Sequence, residues 1–139
     1  MSMVSDQTAA PTDKMLRTAF LGNAVFSVIS AFVFTVFAPL VADFLGLDLS
    51  PLVVMAAGVG LLGFGCWVGF QAWRPVISPS DAWGIVFGDL GWVAATVLLW
   101  AFFPDLFSDQ GWIVADLVAL AVLTFAILQT IGIRRMNAS

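Results

Sequence analysis

The groups able to do chemistry in this chain are few, and apolar neighbours surround them. Asp89 stands between Gly88 and Leu90, with Trp92 three residues on. Asn23 and Ser27 are four residues apart, and Gln129 lies near the far end of the chain. A bare carboxylate deep in hydrocarbon costs at least ~2–3 kcal/mol, so Asp89 must face protein or water, or be neutral. Its functional reading is a site of proton or cation coupling, or the polar anchor of a small-ligand pocket. Its structural reading is a hydrogen-bonded Asp that fixes helix register, with Asn23 as partner. The structural reading is preferred, because no second buried charge sits beside Asp89. Arg17 or Arg74 could reach toward it from an interface, since long basic side chains bend toward water.

Asp116 has two readings as well. One is the outer end of a pathway whose inner end is Asp89. The other, preferred, is a carboxylate in the second turn of a helix, near its positive dipole end. Cys66 is the single cysteine and is read as a buried, inert thiol.

Counting excludes much else. There is no histidine, no tyrosine and no glutamate, and all nine acidic side chains are Asp. His-based metal sites, haem ligation by histidine, Ser-His or Cys-His pairs and an intrachain disulfide therefore fall away, and no cofactor is expected. Five Lys and Arg against nine Asp leave a net charge of −4, too few cations for a nucleic-acid surface. The Gly58–Gly65 stretch lies inside an apolar run, not between a strand and a helix, so it is no phosphate loop.

These groups need elements to hold them. The 139 residues are 61% hydrophobic and 10% charged, with a mean hydropathy of +1.03. A soluble domain carries about 25% charged residues, so lipid is the main solvent here. Apolar runs at 18–38, 52–73, 82–103 and 112–133 each hold 21 or 22 residues. As helices they measure roughly 32–33 Å, enough to cross a hydrocarbon core of about 30 Å. The backbone must satisfy its own hydrogen bonds there, so the runs are helices. The first run exceeds the roughly 7–15 apolar residues of a secretory signal, so a retained helix is expected. Residues 1–15 read as a disordered tail. Pro39 ends the first run, and the apolar stretch to Leu47 reads as a short interfacial helix. Ser50 with Pro51 caps the second run, Ser80 or Asp81 the third, and Asp109 the fourth.

Four crossings put Lys14, Arg17, Arg74, Arg134 and Arg135 on one side, with Asp43, Asp48, Asp105 and Asp109 on the other. The positive-inside rule then places both termini in the cytoplasm. The expected fold is an all-α, four-helix transmembrane bundle, antiparallel and up-down-up-down. Depth follows from helical rise: Asn23 lies about 8 Å, Asp89 about 10 Å and Gln129 about 6 Å in from the basic side. The arithmetic permits a cluster of Asn23, Ser27, Asp89 and Gln129 inside the bundle. Asp116 lies about 6 Å in from the opposite side.

Small residues mark close helix approaches. Gly65 and Gly69 in the second run, and Gly84, Gly88 and Gly91 in the third, each share a face. A short loop joins these runs, so their glycine faces are expected to meet. A homodimer face is the alternative.

The stretches Leu21–Ser30, Phe44–Leu47 and Asp89–Val93 resemble a family of small four-span bacterial membrane proteins with no assigned activity. The resemblance covers residues 16–135, implies the same topology, and supports Asn23 and Asp89 as interior residues. Small multidrug exporters fit less well, since they carry a Glu in the first span. The leading expectation is a non-enzymatic accessory or structural subunit of a membrane complex, with the lipid bilayer as its surroundings. The alternatives are a small proton-coupled transporter using Asp89, or a lipid or quinone binder near Asn23, Asp89 and Trp92.

Overall fold

A computed structural model describes residues 13–46 and 50–138. Most of the expected tail, together with Leu47 and Asp48, lies outside the described residues. The described chain forms five helices: α1 Lys14–Val36, α2 Ala38–Leu45, α3 Pro51–Trp73, α4 Pro79–Phe102 and α5 Asp109–Ala138. α1, α3, α4 and α5 are each long and apolar enough to cross a membrane. The protein is a small multi-pass membrane protein built as a helical bundle.

Several helix bounds differ from the apolar runs, for local reasons. α1 begins at Lys14, inside the stretch expected as tail, and ends at Val36. Pro39 lacks an N–H and its ring clashes with the carbonyl four residues back, so the helix breaks at Phe37 and restarts as α2. Ser50 caps α3 as expected, its Oγ accepting from the Leu52 N–H at 3.3 Å. α4 starts earlier than expected: Ser78 takes the cap position and Pro79 the first turn, so neither Ser80 nor Asp81 is the cap. At α5 the cap is Ser108 rather than Asp109, its Oγ accepting from the Gly111 N–H at 3.1 Å. α5 outruns its apolar run and carries Arg134 and Arg135 past the core on the basic side.

α1 is the centre of the bundle, packed along α3 on one side and α5 on the other, while α4 packs on α5. α3 and α4 barely touch. This overturns the expected meeting of their glycine faces. Gly58 and Gly65 of α3 turn instead to α1, where an added Cβ would come within about 3 Å of Thr35 and Ser27. On α4, Gly84 and Gly88 receive the rings of Trp67 and Phe64, which hold the two helices apart. The loop after Trp73 joins the helix ends, but large aromatic side chains set the spacing beyond it.

The surface is apolar and the few interior polar groups are collected together, as a lipid solvent requires. Val25, Ile29, Phe70, Phe87 and Val97 are exposed, whereas Asn23, Gln71, Asp89 and Gln129 are buried. Cys66 also faces outward, so it is not the buried thiol expected from its apolar setting.

The basic end is closed. Leu16, Phe20, Ile85 and Ile133 have 0% exposure and form one cluster with Val68 and Ala82. Above it, Arg17 donates to the carbonyls of Ala72, Arg74 and Pro75 and pairs with Asp13 at 2.8 Å. The α3 carbonyls that helix geometry leaves open are met this way. Arg74 pairs with Asp81 at 3.1 Å across the loop. Neither arginine reaches Asp89, contrary to the approach considered from sequence.

The far end is tied by backbone. Gly46 takes the left-handed conformation, φ 70°, that ends α2. The Ser108 N–H then donates to the Leu45 carbonyl at 2.8 Å, and Ser108 Oγ and Gln110 Nε2 donate to the Phe44 carbonyl. α2 itself rests through Ala38 and Ala42 on Val54 of α3.

Candidate functional site

Three long helices each bring one polar side chain to the same level. Asn23 lies in mid α1, Asp89 in mid α4 and Gln129 in the second half of α5, all at most 3% exposed. Asn23 Nδ2 donates to Asp89 Oδ2 and to Gln129 Oε1, both at 2.8 Å. Gln129 Nε2 donates to the same Asp89 Oδ2 at 2.8 Å. Ser27, one turn along α1, donates to Asn23 Oδ1 at 3.2 Å. Asn23 thereby uses both amide protons and its carbonyl oxygen, and its position is fixed by three partners. The cluster the sequence permitted is assembled, with all four of its members.

Asp89 is not fully satisfied by it. Both amide donors go to Oδ2, and among the described residues nothing donates to Oδ1. No side-chain oxygen sealed from the surface lacks a partner among those residues, so Oδ1 keeps some open surface. Asp89 also contributes to the wall of a cavity of about 330 Å³. That volume is in the range of pockets that hold small molecules, about 300–1,000 Å³.

The cavity extends from the polar cluster toward the far end. On α1 it follows Asn23, Ser27, Ser30 and Phe34, one stripe at helical spacing. α3 contributes Ala57, Gly60, Leu61 and Phe64. Trp92 and Gly88 of α4 and Val118 and Val122 of α5 complete the wall. The backbones of α3 and α4 barely touch; Phe64 and Trp67 fill the space between them beside Gly88 and Gly84, and the cavity reaches the surface beyond Phe64, at the exposed Ala57 and Gly60. An added Cβ on Gly60 would meet nothing within 4 Å. The opposite, basic side is closed by the Phe20 and Ile85 cluster.

The remaining sequence-derived candidates divide. Trp92 is a wall of this cavity, and its backbone carbonyl accepts from Thr96 Oγ1 at 3.0 Å. Asp116 is exposed and lines a separate groove with Thr96, Val97 and Trp100. The structure does not bring it to Asp89. Among the described residues no group of three His, Cys, Asp or Glu could hold a metal ion. Ser30 shares the Asn23–Ser27 face, as helical spacing expects, whereas sequence reasoning missed Phe26 and Phe34 as cavity residues. The signal for Phe34 was there, since it continues that spacing by four residues. Arg17 was also missed as the clasp of the basic end. Comparisons with family models, curated proteins and solved structures found no match to the chain.

Proposed function

We propose that this multi-pass membrane protein is a non-enzymatic binding protein. Its cavity takes the polar head of a membrane-dissolved small molecule, with Asp89 as the anchor. The observation that carries this reading is Asp89 Oδ1, a partly accessible acceptor to which no described residue donates, on a side chain that lines the cavity. A polar group fully buried without a bond costs about 1–3 kcal/mol, so a ligand that covers Oδ1 must supply a donor. The opening at Ala57 and Gly60 gives a route from the bilayer that crosses no water. The positive-inside rule supports placing the closed, basic end in the cytoplasm of a bacterial inner membrane. The reading is favoured over a transporter because the basic side of the cluster is sealed by packed side chains, leaving one way in. An accessory subunit remains a second reading. It is supported by the exposed Gly63 on α3, where an added Cβ would meet nothing within 4 Å.

The test is native mass spectrometry after mild detergent extraction. The unaltered chain is expected to carry a discrete small-molecule adduct. Gly60→Trp, which fills the cavity from a position with free space, is expected to lose it. No adduct on the unaltered chain, or the same adduct on both, would overturn the reading.

A further inference from the structure

The charge balance around the cavity says more about its ligand. The described basic residues all lie at one end. Arg17 is committed to Asp13 and three carbonyls, and Arg74 to Asp81 and Gln71. Lys14, Arg134 and Arg135 are exposed near the helix ends. Asp89 thus has no counter-charge within the bundle, and both donors that reach it are neutral amides. The cavity that Asp89 lines has four aromatic rings in its wall: Phe26, Phe34, Phe64 and Trp92. Phe26 is braced by Phe125, ring centroids 5.8 Å apart, and Phe64 by Trp67 at 6.1 Å. An acid with no basic partner attracts a positive charge, and ring faces attract the same charge through their quadrupoles. Both features select one ligand class.

We propose that the cavity binds a lipophilic organic cation, an amphiphile whose ammonium head rests against Asp89 Oδ1 while its chain leaves past Ala57 and Gly60. This rests on the binding reading above and adds the sign of the ligand's charge. The volume agrees with a head group and its first methylenes. It is about twice that of a roughly 150 Å³ protein cavity that holds one benzene, and too small for a whole lipid.

Two probes of equal chain length test it: dodecyltrimethylammonium and 1-dodecanol. Each is titrated onto the full chain in nanodiscs of phosphatidylcholine, whose zwitterionic surface does not itself collect cations. Gly60→Trp supplies the background. The ammonium probe is expected to bind the unaltered chain at least about tenfold more tightly than the alcohol. Asp89→Asn is expected to remove that preference while keeping the alcohol's affinity. The comparison of probes on the unaltered chain decides the question even where Asp89→Asn does not fold. If the alcohol binds as well as the ammonium or better, the cation proposal fails and a neutral head group, such as a quinone or lipid hydroxyl, takes its place. A preference that survives in Asp89→Asn also overturns it. If neither probe exceeds the Gly60→Trp background, the binding reading falls with it.

Discussion

The two ends of the bundle use the same apolar residue types and pack them differently. At the basic end, Leu16, Phe20, Ile85 and Ile133 leave no exposed surface, and α5 comes so close to α1 that a Cβ on Gly132 would lie 2.9 Å from the Leu16 backbone. Toward the far end the same helices enclose a cavity of about 330 Å³, and an added Cβ on Gly60, in its wall, would meet nothing within 4 Å. What each small residue faces sets the local spacing at both ends: Gly111 at the far end meets the Leu45 backbone at 2.6 Å, and Gly84 near the basic end meets the Trp67 ring. A glycine facing backbone draws two helices together. A glycine facing an aromatic ring, as Gly88 faces Phe64, holds them at the width of that ring.

Substitutions along the axis sharpen this contrast. The largest effect is expected from Gly132→Val, because the atoms it meets are backbone and cannot swing aside. A loss of about 1–3 kcal/mol is predicted, read from unfolding in mixed detergent micelles. An unchanged midpoint would show that the basic end is less tight than its contacts imply. Arg17→Lys comes next. Lysine keeps the charge but not the planar fork that spans three carbonyls, so a loss of about 1–2 kcal/mol is expected in the same assay. Full stability in that variant would mean that the arginine contributes charge alone. The smallest effect is expected from Gly91→Ala, where the new methyl meets open space. A change under about 1 kcal/mol is predicted, in either direction. A loss comparable to that of Gly132→Val would show that this face of α4 is packed in the membrane, as a dimer would pack it.

The polar cluster was largely legible in the sequence. Asn23, Asp89 and Gln129 lie at similar depths counted from the basic side, and membrane thickness makes depth a readable coordinate. Rotation about each helix axis is not readable in the same way. An apolar helix in lipid has no strong polar face to orient it, and the glycine faces of α3 and α4 were therefore matched to each other instead of to α1 and to aromatic rings. The same ambiguity put Cys66 inside and left a pathway from Asp116 to Asp89 open as the less favoured reading. The caps at Ser78 and Ser108 were displaced by a few residues because several Ser and Asp side chains compete at each loop.

By itself the sequence determined the number of crossings, their approximate limits and the collection of every basic residue at one end. These follow from hydrocarbon thickness, from the cost of open backbone groups in lipid and from counting charges. Only the tertiary structure decided which helices touch, that both amides bond one oxygen of Asp89, and that Asp89 lines a cavity. Those outcomes depend on the shapes of particular side chains, above all Phe64 and Trp67, wedged between helices that a short loop would otherwise bring together.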